Sequence, residues 1–157
     1  MIDRFVVVPA AYVFFLRPHP EHPDVRQVLL QLRDGTGYMD DHWAAAVAGH
    51  VEKHESVFAA AVREAREEVG VTVHPADLAP LCAMHRTGNG EPIDERVDYF
   101  FLATTWTGRP VILEPDKCAD LRWFALDDLP APVVPHELAV LQALRAGGVP
   151  AIVTHGF

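Results

Sequence analysis

The stretch from Gly49 to Val71, GHVEKHESVFAAAVREAREEVGV, constrains this chain more than any other. Val57, Phe58, Ala61, Val62, Ala65 and Val69 recur at three- and four-residue steps, so the spacing predicts a helix with one face packed inward. Ser56 is suited to cap its start, and Gly70 stands where helices commonly end in a left-handed residue. Glu64, Glu67 and Glu68 fall at i, i+3 and i+4, which puts three carboxylates on one stripe. Glu64 and Glu68, like charges at i, i+4, weaken an isolated helix by roughly a few tenths of a kcal/mol. Arg63 offsets part of that through Glu67. A divalent cation would reverse the sign, because Mg²⁺ and Mn²⁺ prefer hard oxygen ligands.

Glu-rich helical turns are ordinarily solvated faces. The spacing around this one argues otherwise. Gly49, five residues, Glu55, seven residues, then Arg63-Glu64-Ala65-Arg66-Glu67-Glu68-Val69-Gly70-Val71 resembles the Nudix box of the MutT-type pyrophosphohydrolases, with every fixed letter present. Two departures stand out. Ala65 fills a slot that usually holds a larger aliphatic residue, and Val47-Ala48 precede Gly49 where the family commonly has Pro-Gly. The resemblance implies an α/β fold, an α/β/α sandwich around a mixed β-sheet.

At 157 residues, a single domain spanning 1–157 with one core is expected. The formal charge of −9 argues against a nucleic-acid polymer as partner, since phosphate backbones need clustered Lys and Arg. It leaves room for a nucleotide whose phosphates reach carboxylates through metal ions. Cys82 and Cys118 make no framework of disulfides or zinc ligands, so reduced thiols and a cytoplasmic location are expected. The apolar run Phe5–Leu16 contains Pro9 and is too short to span a bilayer; it reads as a core strand, with no membrane partner.

In chain order, Phe5–Arg17 and Val25–Arg33 read as a hairpin around a Pro-rich turn, and Ala44–Ala48 as a short strand entering the box. Extended pieces are expected at Val71–Val73, Leu78–His85, Arg96–Trp106 and Leu121–Leu126, with a loop at Arg86–Glu95. Pro135–Ala146 has the spacing of a last helix. The tail Val149–Phe157 has no assigned place, and no oligomeric state is legible, a homodimer included.

The family resemblance implies roles. Glu64, Glu67 and Glu68 match its metal-binding positions, with the Ala48 carbonyl as a main-chain ligand and Mg²⁺ or Mn²⁺ as cofactor. Arg63 and Glu55 match groups that fix the ligands. In the bacterial MutT type a further carboxylate follows a strand-ending Trp by eight residues. Here Trp106 stands that far before Glu114, a metal ligand or general base. Glu91, Asp94, Glu95 and Asp116 are its rivals.

Arg33 at a strand end is a candidate for a phosphate, His85 and Arg86 for base or phosphate, and Tyr38 and Trp43 for stacking on a base; Phe100 reads as core. HVEKH lacks the Glu position and helix of a zinc site, and Cys82 has no basic neighbour to activate it. No subfamily signature stands at Thr87-Gly88-Asn89. The expected substrate is therefore a (d)NTP, ordinary or with an oxidised base, cleaved to monophosphate and pyrophosphate. ADP-ribose or a nucleotide sugar is the alternative, and a non-hydrolysing nucleotide sensor a second one. The related isopentenyl diphosphate isomerases need a catalytic Cys and further metal ligands that have no match here.

Overall fold

The structure, a computed structural model, describes residues 3–88 and 90–157, so Asn89 of the expected signature position lies outside the described residues. β1 (Val8–Pro18) is the axis of the sheet. Its side chains alternate, and both sets are buried: Ala10, Tyr12, Phe14 and Leu16 face one core cluster, Ala11, Val13 and Phe15 the other. Phe14 and Phe15 are both fully buried, each worth about 1.5–3 kcal/mol of transfer free energy. A strand apolar on both faces must be covered on both.

The hairpin to β2 (Arg26–Arg33) forms as expected, but only Leu16–Pro18 pair with Arg26–Val28. Beyond that the strands diverge, and the following chain fills the gap. β3 (Trp43–Ala45) pairs with β2 through Leu30–Leu32, and β4 (Val47–His50) pairs with β1 through Ala10–Val13. The single strand expected at Ala44–Ala48 is thus two, switching partners at Ala46. This switch brings Ala48, Gly49 and His50 to the mouth between β1 and β2.

α1 (Val57–Val69) then runs over the second cluster. After a short 3-10 turn at Pro75–Asp77, β5 (Leu78–Arg86) and β6 (Arg96–Ala103) extend the sheet, β6 lying parallel to β1. β7 (Cys118–Ala125) pairs antiparallel with β2. α2 (Pro135–Arg145) covers the first cluster with Val140 and Leu141. The tail becomes β8 (Ile152–His155), parallel to β5 at the sheet edge. Helices on both faces of a mixed sheet make the expected α/β/α sandwich. Among the described residues no helix is long and apolar enough to cross a membrane.

The ends of α1 are defined by its sequence. Ser56 Oγ accepts from the Ala59 N–H at 3.0 Å. Gly70, at φ 71°, closes it: its N–H donates to the Arg66 carbonyl at 3.2 Å, the left-handed glycine cap, and that of Val71 to the Ala65 carbonyl at 3.3 Å. The inward face follows the periodicity except at Phe58, with Val57 and Val62 packed partly buried against the same cluster. Ala60, Ala61, Ala65 and Val69 are the buried residues, whereas Phe58 is exposed at 37% and rests its ring 4.9 Å from that of Phe101. Small residues let the helix lie close to Ala11 and Ala46 of the sheet, which is why Ala65 serves where a bulkier residue is usual.

Candidate active site

Close packing of α1 on the sheet sets the site geometry. β4 passes so near the helix that a Cβ at Gly49 would collide with the Glu64 carboxylate, so any larger residue there must push that carboxylate aside. Arg63 binds the loop and the helix together. Its Nε and Nη2 donate to the Glu55 carboxylate at 2.8 and 3.1 Å, Nη2 also to the His50 carbonyl at 3.1 Å. Nη1 donates to Glu64 at 2.7 Å and Glu67 at 3.2 Å. Glu55 accepts in addition from the Glu52 N–H at 2.9 Å. The Arg63 hydrogen bonds hold the Glu55 carboxyl below its ordinary range, and Glu55 raises the Arg63 guanidinium in turn.

The stripe opens onto a cleft of about 590 Å³ bounded by Gln31 and Arg33 of β2, Ala48 and Gly49 of β4, the three glutamates, and Glu114 with Lys117 from the loop before β7. Glu68 accepts from the Ala48 N–H at 2.8 Å, so strand and helix meet at this carboxylate. Burial pushes the Glu68 carboxyl well up, against the pull of that N–H, with the Glu64 and Glu114 charges adding to the rise. Burial raises Glu64 too, opposed by Arg63. Lys117 approaches Glu114 at 3.4 Å.

A divalent cation fits this donor set. Beyond burial, neighbouring carboxylates add to the rise of Glu64 and Glu68, and Arg63 pairs with Glu64 and Glu67 but makes no bond to Glu68 or Glu114. Hard oxygens crowded in this way are the ligands Mg²⁺ and Mn²⁺ take. As they stand, with Glu64 and Glu67 turned to Arg63, no three His, Cys, Asp or Glu side chains among the described residues are gathered about one metal position. Glu114 lines the cleft, while Glu91, Asp94, Glu95 and Asp116 do not; Glu95 instead accepts from Thr87 Oγ1 at 2.6 Å.

At Arg33, Ala48, Gly49 and His50 the cleft continues into an inner pocket of about 130 Å³, floored by Tyr12, Ala45, His136 and Glu137. Glu137 is the residue sequence reading missed. An acidic residue in the first turn of a helix explains itself as a partner of the helix dipole. Here it is buried instead, with one carboxylate oxygen accepting from the Ala45 N–H at 2.7 Å, and burial pushes it up to about 7. Beneath lies Asp98, fully buried, whose Oδ2 accepts from Arg86 Nε at 2.8 Å and whose Oδ1 has no partner among the described residues. His136 stands 3.4 Å from the Tyr12 hydroxyl, and burial keeps its imidazole neutral. No single-sequence pattern would have linked residues of β1, β6 and α2.

The remaining candidates divide. Arg33 borders both spaces, oriented by bonds to the Tyr38 carbonyl at 2.8 Å and Thr36 Oγ1 at 3.0 Å; Tyr38 is exposed at the rim. Arg86 reaches a further recess with Tyr38, His136 and His155. Trp43, expected to stack on a base, is a core residue packed edge-on to Phe124, because β3 turns it under the sheet. His85 points to the face opposite Arg86, against Phe157, and lines none of these spaces. Neither cysteine lines the cleft or the pocket, and burial raises the Cys82 thiol to about 11. His50 meets Arg96, while His54 sits in an exposed turn at φ 69°, so the HVEKH pair does not converge.

A family model described as a NUDIX domain matches residues 8–144. Over 87 residues the chain is 36% identical to the NAD-capped RNA hydrolase NudC of Stutzerimonas stutzeri, covering 55% of this chain and 29% of that one. Over 108 residues it is 34% identical to the isopentenyl-diphosphate Delta-isomerase of Ruegeria pomeroyi, covering 68% and 59%. The chain therefore spans under two thirds of the length of either relative. Among solved structures, a MutT NUDIX hydrolase from Burkholderia pseudomallei superposes with a TM-score of 0.69 at 27% identity, over 85% of this chain and 96% of that one. The NUDIX domain of Shewanella oneidensis NrtR, complexed with ADP ribose, reaches 0.71 at 18% identity over 90% and 88%, a likeness of fold.

Proposed function

The chain belongs to the Nudix family, and from that premise we propose that it hydrolyses a nucleoside diphosphate linked to a further group, X, with Mg²⁺ or Mn²⁺. The substrate proposed is a (d)NTP, ordinary or with an oxidised base, yielding a nucleoside monophosphate and pyrophosphate. The observation that carries this is continuity: the acidic cleft joins the inner pocket across Arg33, Ala48, Gly49 and His50, so a phosphate chain and its base fit end to end.

Glu64, Glu67, Glu68, Glu114 and the Ala48 carbonyl would hold the cation, which when bound neutralises phosphate oxygens and lowers the pKa of water. Arg63 keeps the ligand helix and the Glu52–Glu55 turn in fixed relation. Arg33 and Lys117 supply positive charge at the cleft wall for the phosphate chain. Glu114 accepts the proton of the attacking water while the P–O bond to pyrophosphate breaks. Glu137 and Tyr12 face the base.

A second reading is an ADP-ribose or nucleotide-sugar substrate. The recess lined by Tyr38, Arg86, His136 and His155 adds about 200 Å³ beyond the inner pocket, room for a substrate longer than a (d)NTP. The NudC likeness and the ADP-ribose in the NrtR structure favour it as well. A capped RNA chain fits less well, because the net charge is −9 and Arg63 is already engaged by carboxylates. An isomerase reading lacks a thiol, since both cysteines lie outside the cleft.

The test is a pyrophosphate- and nucleoside-monophosphate-release assay with Mg²⁺ and Mn²⁺ over dNTPs, 8-oxidised dNTPs, ADP-ribose and nucleotide sugars. Fastest release from a triphosphate supports the first reading, and fastest release from ADP-ribose or a sugar nucleotide the second. Tight binding without turnover of any of them contradicts hydrolysis and leaves a sensor.

A further inference from the structure

We propose that a second groove, on the α1 side of the sheet and apart from the acidic cleft, binds a planar aromatic anion of the nucleoside monophosphate class. It is walled by Arg17, Leu29, Trp123 and the Trp106–Pro110 segment, and encloses about 420 Å³, within the roughly 300–1,000 Å³ of small-molecule sites. Trp106 and Trp123 lie nearly parallel, with ring centres 5.8 Å apart and planes 18° apart. Phe15 meets Trp106 edge-on at 5.2 Å, which fixes that ring from below. The two indoles stack on each other and are only half-buried, a surface against which a heterocycle packs.

Charge gives the rest of the class. The Arg17 guanidinium carbon sits 4.1 Å from the Trp123 ring centre, and its Nε donates to Gln27 Oε1 at 3.0 Å. Its two terminal nitrogens have no acceptor among the described residues, and Arg109 has no carboxylate partner among them either. No Asp or Glu lines the groove, in a chain of net charge −9. Two arginines beside two indoles, with no acid among the lining residues, suit one ring and one phosphate. Partial desolvation lowers the Arg17 pKa and marks a setting in which an anion is held more strongly than in water.

The wall is also fixed. Thr107 exchanges backbone hydrogen bonds with Thr72 at 3.0 and 2.9 Å, and the Val111 N–H donates to the Val69 carbonyl at 3.1 Å. Gly108, at φ 100°, makes the turn that lays the segment against the end of α1. The same loop carries Glu114 on its far side, so groove and acidic cleft are neighbours that share no lining residue.

The experiment titrates AMP and GMP into the full chain in EDTA, which removes metal-dependent binding at the carboxylates. Tryptophan fluorescence and calorimetry are the readouts, with adenosine and inorganic phosphate as separate probes. Saturable binding of one nucleotide per chain is expected, at least about tenfold tighter than either fragment. It should persist in Glu68→Gln and weaken at least about tenfold in Arg17→Gln/Arg109→Gln, a double variant whose Mg²⁺-dependent turnover stays at the wild-type rate. Absence of saturation at millimolar nucleotide overturns the proposal. So does an isotherm that the arginine substitutions leave unchanged.

Discussion

Glu68 concentrates the chemistry proposed for this chain. Its carboxylate is buried, tethered to the Ala48 N–H and raised by Glu64 and Glu114, so it has an acceptor to spare and no cation of its own. Glu68→Gln should leave the circular dichroism spectrum and melting temperature intact and lower turnover by roughly two orders of magnitude or more, since an amide is a poor ligand for a hard cation. Wild-type rates would sink the assignment. Gly49→Ala should act through space, displacing the Glu64 carboxylate; an expected loss of about 1–3 kcal/mol in urea unfolding accompanies lost activity. These residues were legible because spacing along one helix turn is a local property. Glu137, Asp98 and Tyr12 were not, because burial of a polar side chain depends on strands distant in sequence. Trp43 failed for the same reason: a loop aromatic and a core aromatic look alike until β3 is paired.

At the level of elements, α1 carries a complete set of its own instructions. Cap, left-handed glycine end and carboxylate stripe all follow from Ser56, Gly70 and the glutamates. What periodicity mistook was Phe58. Counting it as core treats size as the criterion, while the buried contact is made by alanines and Val69, with Val57 and Val62 packed partly buried at its margin. Ala65→Leu, although it installs the commoner type of residue, should therefore destabilise by about 1–3 kcal/mol, measured by urea unfolding. Unchanged stability would show that the helix has slack against the sheet. The two-strand switch at Ala46 and the placement of β8 were beyond the sequence, since both are pairings of short segments with strands far along the chain.

For the molecule as a whole, the acidic cleft, inner pocket and outer recess run in series between the faces held by α1 and α2. Glu137 links α2 to β3 at their junction and gives the fold a pH signature. Its folded value of about 7 lies above that of an unfolded glutamate, so the folded state binds the extra proton and stability falls as pH rises from the unfolded value towards 7. Glu137→Gln should remove that fall, which is at most about 3 kcal/mol, in urea midpoints compared at pH 5 and pH 8. Equal pH dependence in both proteins would mean the carboxyl is ionised throughout. The central claim is that α1 and Glu114 hold a divalent cation against a diphosphate. Calorimetric titration of Mn²⁺ into the chain with a non-hydrolysable nucleotide tests it most directly. Saturable binding that Glu68→Gln abolishes is the predicted result; no heat at millimolar Mn²⁺, or an isotherm indifferent to that substitution, would contradict it.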